Sequence, residues 1–394
     1  MDTDLQNKAE KPAVDAEQPT IKIIGVGGAG LAALARLHAS GLKEAQLCAL
    51  DTDASALALS PVADKLMIGQ SVTRGLSAGG EVDVGRRAAE ADRDRMVTAL
   101  EGVKLVFILA GLGGGTGSGA APVIAQVASQ SGALVVVFAT MPFIVEGARR
   151  HRQAEDALKY LRMCGGDSIF TLPNDLLMQS LGADATAPDV FQLAGQWICR
   201  GVGALCRSFS PKAAASVDFG TVQKLLVGKG SKTLFALGRG EGEKAFESAL
   251  DTLTGCPLLR VPHATAQTGN LLAYLCAKPD FDIALLNKLS AFVAEKFPFH
   301  ASLSVCAYGY ESLGDAVEVY LFGAGEAIKP KSPAKAKAAE EKTTSVTVTA
   351  QEEFGFVQKE AQRGYFDGTE PNVYKGEDLD VPTYLRRNLK IILN

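Results

Sequence analysis

The feature that most constrains this chain is Gly111-Leu112-Gly113-Gly114-Gly115-Thr116-Gly117-Ser118-Gly119, with six glycines in nine residues. It follows the apolar run VKLVFILA (103–110) and precedes a helical pattern (120–131). A run that is apolar at seven of its eight positions, Lys104 being the exception, reads as a strand buried on both faces. Successive glycine N–H groups between such a strand and a helix form an anion-binding nest at a helix N-terminus. Thr116 and Ser118 add hydroxyl donors. The segment has no lysine, so it is not a Walker loop.

A second glycine cluster, Gly25-Val26-Gly27-Gly28-Ala29-Gly30, sits between the strand IKIIGV (21–26) and the helix LAALARLHASG (31–41). It satisfies G-x-G-x-x-G, and Asp51 follows about 20 residues on, at the end of the strand QLCAL (46–50). Taken alone, this half of the pattern suits a nicotinamide or flavin oxidoreductase. The second loop argues against that class. Further strands at 133–140 and 167–172, alternating with helices, one of them over 81–102, predict a parallel, doubly wound sheet.

DVFQLAGQWICRGVGALCRSF (189–209) has the spacing of a long, largely buried helix. Beyond it, strands at 233–238, 270–277, 302–310 and 316–323 and helices at 242–254 and 282–297 predict a smaller α/β domain. The expected organisation is a disordered tail (1–20), a nucleotide-binding domain (21–188), a central helix with its connection (189–216) and a second domain (217–325). A flexible linker (326–376) and a C-terminal peptide (377–394) follow. The polar linker and the apolar return in DLDVPTYLRRNLKIILN predict a tethered segment that exists to be bound.

Composition narrows the function. The 394 residues carry a formal net charge of −4, so no basic field favours nucleic acid. No apolar stretch reaches the roughly 18 residues of a spanning helix. The N-terminus lacks the basic start and apolar core of a secretory signal. Seven cysteines, widely spaced and without CxxC, predict reduced thiols of a cytoplasmic protein. The four histidines show no metal-ligand spacing.

GLGGGTGSGAAPVIAQVA resembles the signature loop of the tubulin/FtsZ family, whose bacterial members are cell-division GTPases. The likeness continues in TRGLSAGGEVDVGRRAAE (73–90), PFIVEGARR (142–150), LPNDLL (172–177), the VDF of 217–219 and DVPTYLRR (380–387). It implies a tubulin/FtsZ-like α/β fold: a GTP-binding domain, a long central helix and a smaller second domain. It also implies head-to-tail filaments in the cytoplasm at the division site, GTP or GDP as ligand, and Mg2+ held through the phosphates.

By that resemblance, Gly27, Gly28, Ala29, Gly30, Leu31, Ala32, Gly114, Gly115, Thr116 and Gly117 bind the nucleotide. The family often has asparagine where this chain has Ala32. Glu146 matches a ribose-binding glutamate and Arg150 an arginine near the phosphates. Read alone, the pair is four residues apart on one helix and equally suits a solvated ion pair. Asn174 matches the asparagine that reads guanine, although its position also suits a helix cap. Phe191 matches the ring that packs on the base, and it also suits ordinary core. Gln196 stands where the resemblance places an aspartate facing the guanine donors. An amide offers one acceptor and opposes one donor to a donor, so guanine selection is expected to be relaxed.

Ser216-Val217-Asp218-Phe219-Gly220-Thr221 matches the loop that the family inserts into the neighbouring subunit's site. Serine and threonine replace an asparagine and an aspartate there, and Asp218 alone keeps a carboxylate. A hydroxyl is no general base near neutral pH, so hydrolysis is expected to be slow. Asp380, Val381, Pro382, Tyr384, Leu385 and Arg386 match the peptide that binds a membrane-tethering division adaptor. The altered loop keeps a second reading open: a nucleotide-binding structural paralogue with little or no turnover.

Overall fold

The computed structural model describes residues 19–181, 184–210, 213–227, 233–260, 269–297, 302–324, 373–374 and 377–378. They fall into two units, one within residues 1–330 and one within 331–394.

In the first unit, six parallel strands form one sheet: β1 (Ile21–Val26), β2 (Gln46–Asp51), β3 (Asp64–Met67), β4 (Leu105–Gly111), β5 (Leu134–Met141) and β6 (Ser168–Pro173). Helices α1 (Gly27–Ala39), α2 (Ala54–Leu59), α3 (Gln70–Thr73), α4 (Val82–Ala91), α5 (Arg93–Ala99), α6 (Gly115–Gln130), α7 (Ala148–Met163) and α8 (Asn174–Met178) occur between and after them. The strand order β3-β2-β1-β4-β5-β6 is that of a doubly wound sheet. The strand order reverses between β1 and β4, with successive strands added outward on either side, so the carboxyl ends of these two strands open a crevice where ligands bind in such sheets.

The apolar strands bury both faces by alternation. Ile23, Phe107, Val136 and Phe170 enter one core, while Ile24, Val106, Val137 and Ile169 enter the other. The single helix expected over 81–102 is two helices, broken at Asp92. Its carboxylate leaves the helix pattern to accept the Gly69 N–H at 2.6 Å and Arg95 at 3.0 Å.

Helix α9 (Ala187–Ser208) follows, with Thr186 and Asp189 exchanging capping hydrogen bonds at its start. After α10 (Phe219–Leu226) comes a second sheet of order β7-β10-β8-β9. It comprises β7 (Thr233–Gly240), β8 (Asn270–Ala277), β9 (Ser302–Gly309) and β10 (Val317–Ala324), with α11 (Ala245–Thr254) and α12 (Ala284–Lys296). Only the β8–β9 pair is parallel.

The two sheets share one continuous core with α9. Phe138 meets Phe235 of the second sheet at a centroid distance of 5.5 Å, and Phe170 meets Phe235 at 6.1 Å and Phe322 at 5.9 Å. Gly201 of α9 makes room for them, since a Cβ there would stand 2.7 Å from the Phe235 ring. All seven cysteines are free thiols, five of them buried, and burial raises Cys48 and Cys276 to about 12. The described residues include no helix long and apolar enough to cross a membrane.

The second unit's described residues are a two-residue ribbon, Val373–Tyr374 paired antiparallel with Glu377–Asp378. The predicted partner-binding residues Asp380, Val381, Pro382, Tyr384, Leu385 and Arg386, like most of the expected linker, lie outside the described residues.

Candidate nucleotide-binding site

Both glycine segments belong to the first turns of their helices. Helix α1 begins at Gly27 and α6 at Gly115, earlier than the sequence pattern suggests, and neither start has a side-chain cap. Their first N–H groups are therefore free to meet an anion, and both dipoles point into the crevice. The two segments also pack on each other. Gly27 takes a left-handed φ of 68°, and a Cβ on it would stand 3.1 Å from the Gly117 nitrogen. A Cβ on Gly117 would stand 2.2 Å from the Gly111 carbonyl oxygen. One on Gly30 would stand 2.2 Å from that of Leu109. By contrast Gly28 and Gly114 face open space within the pocket.

The pocket has a volume of about 420 Å3 and lies at the carboxyl ends of β1, β2, β4, β5 and β6. Gly27, Gly28, Ala29, Gly114, Gly115, Thr116, Gly117, Glu146, Arg150, Asn174 and Phe191 all line it. Ala32 instead lines an apolar recess of about 310 Å3, with Ala29, Thr140 and Phe191 common to both cavities. Gly30 and Leu31 line neither. Gly30 packs helix on strand, and Leu31 turns into the core at 7% exposure.

The hydroxyls divide their tasks. Ser118, expected as a donor to the ligand, is 1% exposed and accepts the Gly113 N–H at 2.7 Å, so it fixes the loop from behind. Thr116 keeps its place in the pocket wall. Its hydroxyl meets that of Thr52 at 2.8 Å, and Thr52 also accepts the Ala78 N–H at 3.1 Å. Asp51 accepts the N–H groups of Thr52 at 2.7 Å and Asp53 at 3.3 Å. Burial raises its carboxyl above the ordinary range, which those hydrogen bonds partly offset. The acid at the end of β2 thus shapes the turn that carries Thr52.

Glu146 and Arg150 form an ion pair, but not on one helix. Glu146 ends a short 3-10 turn (Ile144–Glu146), and Gly147, at φ 97°, separates it from α7. The second Glu146 oxygen accepts the Phe143 N–H at 2.8 Å, which fixes the carboxylate against the wall. Asn174 opens α8 and is 3% exposed, and its Oδ1 has no partner. A buried acceptor left open at a pocket wall suits a ligand's N–H donor.

Phe191 is 52% exposed and stacks edge-on against Phe143 at 5.5 Å. Phe191, Ala194, Gly195 and Ile198 share the recess-facing side of α9. Gln196 does not join them. Five residues beyond Phe191, it is turned about 140° around the helix axis and lines neither cavity. Gln196, on which the expectation of relaxed guanine selection rests, thus stands outside both cavities.

Asp218 caps α10. It accepts the Thr221 N–H at 2.9 Å and the Thr221 hydroxyl at 2.6 Å, which hold it below the ordinary carboxylate range. It is exposed and does not line this chain's own pocket. Ser77, Gly80, Thr140 and Pro142 line the pocket without having been anticipated. Thr140 was discoverable, since it stands one residue before the carboxyl end of the buried parallel strand β5. Ser77 and Gly80 lie in the segment 73–90 that carries the family resemblance, so that segment was their signal.

Residues 20–182 match the model of the Tubulin/FtsZ family, GTPase domain. An empty FtsZ dimer from M. jannaschii is 29% identical, with a TM-score of 0.72 over 78% of this chain and 88% of that one. A mutant FtsZ from the same organism is also 29% identical, with a TM-score of 0.73 over 78% and 92%. CetZ2 from Haloferax volcanii, in a GTPγS-bound protofilament, shares the fold at 22% identity and a TM-score of 0.64 over 78% and 93%. The pocket lies at the switch point of a 3-2-1-4-5-6 sheet, and all of its lining residues except Phe191 fall within residues 20–182, the region that matches the Tubulin/FtsZ GTPase-domain model.

Proposed function

We propose that this protein is a GTP-binding, filament-forming cytoskeletal protein of bacterial cell division, which hydrolyses GTP slowly at the interface between successive subunits. The observation that carries the binding half is the crevice itself. Two uncapped helix N-termini converge there, and the open acceptor of Asn174 stands in the same pocket wall. The N–H groups of the first turns of α1 and α6 receive the phosphates. Arg150 adds charge beside them, Glu146 takes the ribose hydroxyls, Asn174 accepts from guanine, and Phe191 covers the base. Mg2+ joins through the phosphates.

In this reading Asp218 enters the pocket of the next subunit and orients the attacking water. The C-terminal peptide around Pro382, Tyr384 and Leu385 binds a membrane-tethering adaptor, which places the filament at the division site. The name of the FtsZ dimer and the CetZ2 protofilament structure agree with self-association.

A second reading is a structural paralogue that binds nucleotide and assembles with little or no turnover. One observation favours it: Thr221 stands where the family has an aspartate and occupies both oxygens of the remaining carboxylate. Three measurements on the purified protein separate the readings: the nucleotide it carries, GTP-dependent sedimentation, and phosphate release. Guanine nucleotide, sedimentation and slow release support the first reading. Sedimentation without release supports the second. Absence of nucleotide binding overturns both.

A further inference from the structure

The α9 face opposite Phe191 carries Arg200, Ala204 and Arg207, spaced by four and three residues, and it looks onto the second sheet. These residues close a separate cavity of about 210 Å3, whose other walls include Arg239, Tyr274 and Tyr310. Its lining is rich in cation. Glu318 is the one carboxylate among the lining residues, and it is already engaged. It is 6% exposed, accepts Arg239 at 2.9 Å and the Tyr320 hydroxyl, and lies 3.7 Å from Arg200. Arg239 is shared further with Glu241 at 2.6 Å.

Two groups are left over. The Arg207 guanidinium lies 4.9 Å from the Tyr310 ring centroid and has no acidic partner within ion-pair distance among the described residues. The Tyr274 hydroxyl is buried without any hydrogen-bond partner, on a residue only 1% exposed. A water would satisfy the tyrosine and leave the guanidinium, on which the Glu44 carboxylate acts from beyond ion-pair distance, without a direct anionic partner. A bound oxyanion does both, since a guanidinium fork matches two oxygens and a hydroxyl donates to an ionised acceptor.

We propose that this cavity is a second ligand site, for a small molecule bearing a phosphate or carboxylate group held by the Arg207 guanidinium and the Tyr274 hydroxyl. The ligand would bridge α9 to the second sheet, away from the nucleotide pocket. The site does not depend on the proposed GTP chemistry.

The test is calorimetric titration of the full-length protein with inorganic phosphate and, separately, malonate at fixed ionic strength. The glycine segments also attract anions, so variants of both sites are compared. The site is supported if at least one anion binds wild type and Arg150→Gln alike, while Arg207→Gln binds at least tenfold more weakly. Tyr274→Phe, which keeps the ring and removes only the hydroxyl, is expected to weaken binding about tenfold. It decides the matter if Arg207→Gln does not fold. Tighter phosphate or tighter malonate binding then names the head group. No binding by either anion overturns the proposal, as does undiminished binding in Tyr274→Phe.

Discussion

Thr221 grips Asp218 from two directions: its N–H donates to one carboxylate oxygen at 2.9 Å and its hydroxyl to the other at 2.6 Å. A carboxylate bonded at both oxygens is a weaker proton acceptor than a free one. By the family resemblance Thr221 stands in place of a carboxylate, and it also blunts the one that remains. Thr221→Asp is expected to raise GTP turnover, because it frees the Asp218 oxygen and adds a second negative group. Phosphate release measured under assembling conditions checks this. An unchanged rate would show that the lost carboxylate is not limiting.

The same pair sets a pH response. The Thr221 hydroxyl first, and then its N–H, hold Asp218 below the ordinary carboxylate range. Its contribution to stability is therefore complete above that range and is lost as pH falls through the lowered value. Thr221→Val is expected to move the Asp218 titration up toward the ordinary value. Carbon-detected NMR of the carboxyl reads the shift directly.

Gly117 and Gly28 separate packing from binding. Gly117→Ala places a Cβ 2.2 Å from a carbonyl oxygen, so it is expected to destabilise the protein by about 1–3 kcal/mol and to abolish nucleotide binding. Gly28→Leu projects into open pocket space, so it is expected to spare stability and weaken binding. Denaturant melts beside nucleotide titrations distinguish the two.

Under the proposed function, base recognition falls to one side of α9. Phe191→Ala is expected to cost about 1–3 kcal/mol of nucleotide affinity, the range of a base–aromatic stack. Gln196→Ala is expected to leave affinity unchanged, because it faces neither cavity. Loss of guanine selectivity in Gln196→Ala would restore the role that the resemblance implies for it.

Nucleotide removal is expected to soften the first sheet's crevice. At a free concentration one hundred times the dissociation constant, bound nucleotide adds about 2.7 kcal/mol to unfolding free energy. Thermal melts of stripped and reloaded protein test this, with Asn174→Ala expected to respond less.

The strands and the two glycine segments were legible in the sequence because both signals are local. A run apolar at nearly every position is buried on both faces, and a glycine cluster between strand and helix has few other uses. The helix starts were less legible. Gly27 and Gly115 look like loop by propensity, yet contact between Gly27 and Gly117 folds both segments into helical turns. The glycine count likewise said nothing of which glycines pack and which open to the ligand.

Side-chain direction was decided by tertiary structure alone. Ser118 and Thr116 are two residues apart in the same segment. One clamps the loop from behind and the other faces the pocket, because a helix turns about 100° per residue. The same rotation places Phe191 in the recess and takes Gln196 out of it, and it turns Arg207 toward a cavity that no local pattern announced. Sequence determined that this chain sets two glycine segments at strand-to-helix junctions of a parallel sheet. Only the packing of α9 between the two sheets decided which residues look into the crevice there, since that depends on contacts far apart along the chain.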